Sequence, residues 1–486
     1  MSKFNKIETE IVYNKEGNIA YDLDNKKKIA SMMLTSFYNE EKFYGDNSKE
    51  MVDLANYMIE NGEAEFIAKL TVFCKKEMHL RSVVQVFTCL LANNINGKKY
   101  VRKVCKSVIE RADDIIETLA YYITNYGKPI PNSLKRSLAE AMNNFDEYQF
   151  AKYTRKNQKV TFKDVLRLTH AVAKDEKQNL IFNKIINDNL ETPYTWETEL
   201  SSKGNTKEVW EELISSNRLG YMALLRNLNN ILNVNVDNLD KALSSLTNEN
   251  FIKKANILPF RYYSAYNKLK ENPNFTSRIM LAIDEAMKSS IKNIEQLKGK
   301  TLIALDVSGS MGSPISRNSE IHCCDIGAVI ACIANEICED SLVLTFDNDV
   351  KKFILPRKSS LLKNIESVSF SYGGTNCSAP IRYIVDKKIK VDRIIMISDN
   401  ECNSSYARSY LYPTNTQTVL NKYKKEINKE VYTHLIDLQG YGTTDINSKD
   451  YKVNFIAGWS ENIFKFINYF ENGTSSLIKE IENYVI

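Results

Sequence analysis

The spacing of apolar residues changes character once along this chain. From about Ser48 to Lys298 they recur three and four positions apart, the period of amphipathic helices. Met51–Glu60, Ala64–Cys74, Leu80–Asn93, Tyr100–Arg111 and Ile115–Tyr122 all carry that period. The turn Lys128-Pro129-Ile130-Pro131-Asn132 then leads into another helical stretch, Ser133–Met142. Short helices joined by polar turns, without strand signals, predict stacked helical pairs. No sharp fixed-period consensus recurs, so degenerate HEAT-like repeats fit better than tetratricopeptide or ankyrin units.

Beyond Thr301 the texture becomes that of strands. Thr301–Leu305, Ser341–Phe346, Arg393–Ile397, Val431–Ile436 and Val453–Ala457 are short apolar, β-rich runs, with helical periods such as Ile326–Ile337 and Thr418–Ile427 between them. That alternation predicts βαβ units and a mostly parallel sheet in a doubly wound α/β domain. Terminal helices near Ile463–Phe470 and Leu477–Tyr484 are expected to close one face. At 486 residues the chain is too long for one ordinary core. It divides into a helical part, residues 1–298, and an α/β part, residues 299–486.

Three polar loops follow in order in the second part: Asp306-Val307-Ser308-Gly309-Ser310, Gly373-Gly374-Thr375-Asn376 and Ser398-Asp399. The first and last close clear apolar strands, and open α/β sheets bind ligands at such carboxyl ends. By itself Asp-x-Ser-x-Ser is an ordinary strand-to-helix turn with a capping Ser. With all three loops, Asp306, Ser308, Ser310, Thr375 and Asp399 make an all-oxygen set suited to one hard divalent cation, Mg2+ first. Three neutral hydroxyls and two carboxylates leave room for an anionic ligand from a partner, which points to binding rather than catalysis. The constellation resembles the metal-ion-dependent adhesion site of von Willebrand factor A domains. That resemblance implies that the Ser308, Ser310 and Thr375 hydroxyls touch the metal, with Asp306 and Asp399 often acting through water.

Enzyme readings of the same residues fail on chemistry. A haloacid-dehalogenase-like phosphatase needs an acid/base Asp two positions after its nucleophile, where this chain has Ser308. There is no phosphate-cradling Gly-x-x-x-x-Gly-Lys-Ser/Thr run and no Gly-x-Ser-x-Gly elbow. His79, His170, His322 and His434 are isolated in sequence. The chain is therefore not expected to be an enzyme.

Hydrophobic content of 43% and charged content of 26% are those of a globular protein. No apolar run approaches the ~18 residues that span a bilayer, and the N-terminus is polar rather than signal-like. Nine scattered cysteines read as reduced thiols, and a cytoplasmic location is expected. His322-Cys323-Cys324 has the wrong spacing for zinc and is better explained by a helix beginning near Glu320. Net charge is only +5, so any case for nucleic acid must rest on local clustering.

Such a cluster lies between Lys152 and His170. Lys152, Arg155, Lys156, Lys159, Lys163 and Arg167 face a single acid, Asp164, with Tyr148, Phe150, Tyr153 and Phe162 interleaved. Clustered cations bind phosphates, while aromatic and His rings stack on unpaired bases. A solvated helix face is the plain alternative.

Several segments resemble the Ro ribonucleoproteins, whose N-terminal part is the TROVE module. They are Lys135–Asn144 with Gln149–Tyr153, Phe162–His170, Leu219–Leu228 and Ile257–Arg261, joined in the second part by Gly373–Ser378 and Ser398–Glu401. The compact chain and its Gly309-Ser310-Met311 are most similar to the bacterial, Rsr-like Ro orthologues. The resemblance implies a ring of HEAT-like helices closed against an A domain. Single-stranded ends of misfolded RNAs would thread the ring, and small noncoding Y RNAs would lie on its outer surface. Lys152, Lys156 and His170 fall where family members contact RNA from outside. An exoribonuclease such as polynucleotide phosphorylase is an expected partner, and a membrane is not. The second reading is an adhesion scaffold whose A-domain metal captures a partner carboxylate.

Overall fold

In a computed structural model of the chain, the structure describes residues 11–13, 19–34, 46–154, 158–257, 259–292, 294–314, 321–371, 373–399, 416–439, 443–447, 450, 452–457, 462–472 and 477–486. They form two compact units. One joins Met1–Thr35 to Gly220–Ile478; the other joins Ser36–Leu219 to Lys479–Ile486.

The first unit is built on a sheet. Its strands are β3 (Leu297–Asp306), β4 (Cys338–Phe346), β5 (Val350–Lys352), β6 (Arg393–Ser398), β7 (Tyr432–Asp437) and β9 (Val453–Ala457). Their spatial order is β5-β4-β3-β6-β7-β9, parallel throughout except for β5. Central residues Leu302, Ile303, Ala304, Ile394, Ile395 and Ile397 have no measurable exposure. Strands covered on both faces read as continuous apolar runs, which is why they were legible as such. Gly327, in the helix Cys323–Ile337, lets that helix lie against the sheet: a Cβ there would stand 2.9 Å from Leu305 Cδ1. A separate antiparallel sheet joins β1 (Ile11–Tyr13) and β2 (Ile19–Asp22) to β8 (Thr443–Thr444).

The helices Tyr221–Asn233 through Ser277–Ile291 belong to this unit too. Asp284, 3% exposed, accepts from Ser360 Oγ and from the Leu362 backbone N–H, both at 3.0 Å. Across the base of the sheet runs a buried polar network. Arg393 grips Glu471 through Nε (2.5 Å) and Nη2, and donates from Nη1 to Thr301 Oγ1 (2.9 Å) and the Lys298 carbonyl (3.0 Å). His434 Nε2 lies 2.8 Å from Glu471 Oε1, and its Nδ1 3.1 Å from Asn454 Nδ2.

The second unit is helical. Ala64–Lys76, Ser82–Asn93 and Ala112–Tyr126 pack around Phe66, Phe73, Phe87, Leu91 and Leu119, all at most 4% exposed. Asp114 anchors the start of the last of these helices: it accepts from Arg81 Nε (2.9 Å) and from the backbone N–H groups of Glu110 (3.2 Å) and Arg111 (3.1 Å).

Two expectations are corrected. The final helix, Leu477–Asn483, does not close the sheet. From Lys479 it belongs to the second unit, where the Tyr484 ring meets Phe73 edge-on at 5.5 Å and its hydroxyl donates to Glu77 (2.9 Å). The cysteines are not all thiols: among the described residues seven are free, but Cys377 is disulfide-bonded. The basic run Lys26-Lys27-Lys28 lies in the helix Asn25–Leu34. Among the described residues no helix is long and apolar enough to cross a membrane.

Candidate metal centre and nucleic-acid interface

Strand order changes direction at β3: the chain goes to β4 on one side and to β6 on the other. The carboxyl ends of β3 and β6 flank that switch point, where open sheets hold ligands. Asp306 and Ser308 there are fully buried, and Thr375, Ser398 and Asp399 are at most 4% exposed. Asp306 Oδ1 accepts from the Ser308 backbone N–H (2.9 Å) and Oδ2 from Ser398 Oγ (2.6 Å). The Ser308 and Ser310 hydroxyls lie 3.2 Å apart.

The Thr375 loop is fastened on both sides. Gly309 N–H donates to the Gly373 carbonyl (2.9 Å), and Asn376 N–H to the Asp347 carbonyl (2.7 Å). Gly374 lies close under Asn348: a Cβ there would stand 2.6 Å from Asn348 Oδ1, so that side chain would have to turn away. Burial, and then the neighbouring Asp399 charge, push the Asp306 carboxyl up to about 7, while hydrogen bonds from Ser308 and Ser398 act the other way. Two adjacent buried carboxylates beside a row of hydroxyls match the donor chemistry of a hard cation, whose charge would relieve their repulsion. Ser398, which braces Asp306, was not singled out from sequence, although it stands in the quoted Ser398-Asp399 pair.

His322-Cys323-Cys324 is a helix start, as expected: His322 N–H donates to Asp325 Oδ2 (2.8 Å) and the helix begins at Cys323. Among the described residues no group of three or more His, Cys, Asp or Glu side chains forms a metal cluster.

The basic stretch is divided by the fold. Lys152 ends the helix Glu147–Tyr153 and is exposed, with Nζ 5.5 Å from the Tyr153 ring centre. Arg155 and Lys156 lie outside the described residues. Lys159 and Arg167 are exposed, whereas Lys163 pairs with Asp188 at 2.8 Å. His170, also exposed, caps the helix Phe162–Thr169 in the left-handed region (φ 53°). The interleaved aromatics separate as well. Phe150 and Phe162 are core residues meeting edge-on at 4.9 Å, so only Tyr148 and Tyr153 keep surface that could stack on a base. Asn143, given no role of its own within the quoted Lys135–Asn144, holds the segment after His170 by accepting from Lys174 N–H (2.8 Å) and donating to the Val172 carbonyl (3.0 Å).

A helical unit with an exposed basic stretch, followed by an A-type sheet with its polar loops, defines a class. The chain matches the TROVE domain over residues 25–189 and 188–296 and the Ro60 vWA domain over residues 300–471, and so belongs to the Ro family of TROVE proteins. Its fold is that of the crystal structure of the Deinococcus radiodurans RO (RSR) protein, with a TM-score of 0.65 at 16% identity over 93% of this chain and 100% of that one. Among curated relatives, the RNA-binding protein RO60 of D. radiodurans is 26% identical over 40% of this chain and 39% of its own length. Telomerase protein component 1 of Rattus norvegicus is 23% identical over 43% of this chain but only 11% of its own length. The matched regions thus span well under half of these relatives.

Proposed function

We propose that this chain is a non-catalytic RNA-binding protein of Ro type acting in the cytoplasm. It binds a small noncoding Y-like RNA and the single-stranded 3′ ends of misfolded or structured RNAs, in quality control beside an exoribonuclease such as polynucleotide phosphorylase. The supporting observation is that the exposed Lys152, Lys159, Arg167 and His170 stand within a TROVE match in a chain whose relatives include RNA-binding proteins. Sequencing the RNA that copurifies from native cells tests it. A discrete small RNA with a stem and internal loops, alongside ribosomal RNA fragments, is expected; RNA-free protein overturns the reading. Reversing Lys152 and Lys156 to Glu should weaken RNA binding and shallow its salt slope by about 0.7–0.9 per lost phosphate contact. Unchanged affinity and slope would remove these residues from the interface.

In this reading Ser308, Ser310 and Thr375 hold one Mg2+ with Asp306 and Asp399. A bound ion would supply positive charge for an anionic ligand. The hydroxyl-rich set supports a second role, capture of a carboxylate from a protein partner. Asp306→Ala and chelation should abolish that capture alike; RNA binding insensitive to both would make the two functions separable.

A further inference from the structure

Within the first unit, a cleft of about 600 Å3 opens where the helices Tyr221–Asn233 and Pro259–Leu269 end. That lies within the roughly 300–1,000 Å3 range of small-molecule sites. Four carboxamides line it: Asn229, Asn233, Asn267 and Asn272. Asn272 Nδ2 donates to the Oδ1 atoms of Asn229 and Asn233, both at 2.7 Å, and its own Oδ1 accepts from the Asn274 backbone N–H (2.9 Å). The oxygens of Asn229 and Asn233 are thus held, while among the described residues their amide N–H groups have no acceptor. Asn267 is the complement of these two. The Tyr263 hydroxyl donates to Asp325 Oδ1 (3.4 Å), so it meets Asn267 as an acceptor and takes the amide N–H side. Asn267 Oδ1 is left buried without a hydrogen-bond partner. A buried acceptor without a donor costs stability, so its place on the wall of a cleft points to a ligand that brings the donor.

The charge around the cleft selects against an anion. Both helices end at it with the negative pole of their dipoles, and Glu271 adds a carboxylate to the lining. Lys268 and Lys270 offset that charge, and Lys270 also pairs with Glu366 at 3.7 Å. A neutral ligand rich in hydroxyls fits this balance. A hydroxyl donates once and accepts twice, so one can accept from Asn229 or Asn233 while its neighbour donates to Asn267. Resting on the RNA-binding reading above, we propose that the cleft holds the vicinal 2′,3′-diol of a 3′-terminal ribose. In a linear RNA that diol exists only at the 3′ terminus, because every internal 3′ oxygen is esterified to phosphate. The cleft therefore separates hydroxyl ends from 3′-phosphate ends, whose charge it disfavours.

The test uses the full chain and three fluorescent oligouridines that differ only in the last sugar: a 2′,3′-diol, a 2′,3′-dideoxy end and a 3′-phosphate. In anisotropy titrations the diol strand should bind about tenfold tighter than the dideoxy strand, the scale of two hydrogen bonds. The phosphate strand should bind no tighter than the dideoxy one. Asn267→Leu and Asn229→Leu should each bring the diol strand down to the dideoxy affinity. Equal affinity of the diol and dideoxy strands overturns the diol site but not RNA binding. Tighter binding of the phosphate strand overturns it too, as does a gap that persists in both variants. Methyl ribofuranoside is titrated in parallel by calorimetry. If the protein holds none of the strands, the RNA-binding reading falls and the terminal-ribose site falls with it; glycoside binding that Asn267→Leu abolishes would then assign the cleft to a free sugar.

Discussion

Asp306 is a carboxyl without solvent, next to a second one, and that combination gives it a pH signature. Its folded value, up to about 7, stands above the ordinary aspartate value, so the native state holds a proton that the unfolded chain has already released. Without metal, this group's contribution to stability is full below about pH 4 and is lost as pH rises toward about 7. A cation must displace that proton, so Mg2+ should raise the melting temperature more at about pH 8 than at about pH 5.5. Melts in Mg2+ and in EDTA at both pH values measure this; Asp306→Asn should abolish most of the Mg2+ effect at either. His170 poses a different residue-scale question. Its left-handed backbone costs a side chain about 1–2 kcal/mol, partly offset in Gly by the entropy of the unfolded chain. His170→Gly should therefore leave stability unchanged or raise it by about 1 kcal/mol. If the imidazole contacts RNA, affinity falls in the same variant; a purely structural His would leave affinity alone.

At the scale of elements, the interior strands were legible because two covered faces force an unbroken apolar run. β9 matches its expected bounds, while β3 begins at Leu297, upstream of the apolar core of its run, because the partly exposed Lys298, Gly299 and Lys300 interrupt the apolar pattern. The edge strand β5 and the small second sheet were not legible. β5 is a short Val-Lys-Lys strand paired on one side only, and β1, β2 and β8 form their sheet from opposite ends of the chain. The loops of the candidate metal site stand out by motif, since Asp306, Ser308 and Ser310 follow β3 and Asp399 follows β6, while Thr375 lies in a loop away from any strand end. The basic stretch was readable only as charge: composition could not tell that Phe150 and Phe162 turn inward while Tyr153 stays partly out. The Arg393 network was invisible too, because Glu471 reaches it from a helix far along the chain. Arg393→Met leaves Glu471 buried without its fork and should cost about 3–5 kcal/mol. A urea titration measures it, and a loss under about 1 kcal/mol would contradict the network's importance.

On the scale of the whole molecule, the helices from Tyr221 to Ile291 share a compact unit with the sheet. A fragment 299–478 lacks Asp284 and exposes the stretch around Leu361 and Leu362, both fully buried in the chain. A fragment 220–478 keeps that anchor and should unfold more cooperatively and at higher urea. Equal midpoints for the two fragments would show that the sheet does not draw stability from those helices.

The pairing of Tyr21 and Asp22 with Thr444 and Thr443 also has a consequence in time. The β1–β2 hairpin leaves the ribosome well before its third strand, which begins only at Thr443. At about 5–20 residues per second, the hairpin waits on the order of 20–80 s for that partner. Meanwhile its outer edge is an unpaired row of backbone donors and acceptors, open to whatever nascent strand comes first. Lys479–Ile486 reaches back in the same way to the unit begun at Ser36. Neither unit can be finished in the order in which it is made, so translation speed becomes a factor in which pairings survive.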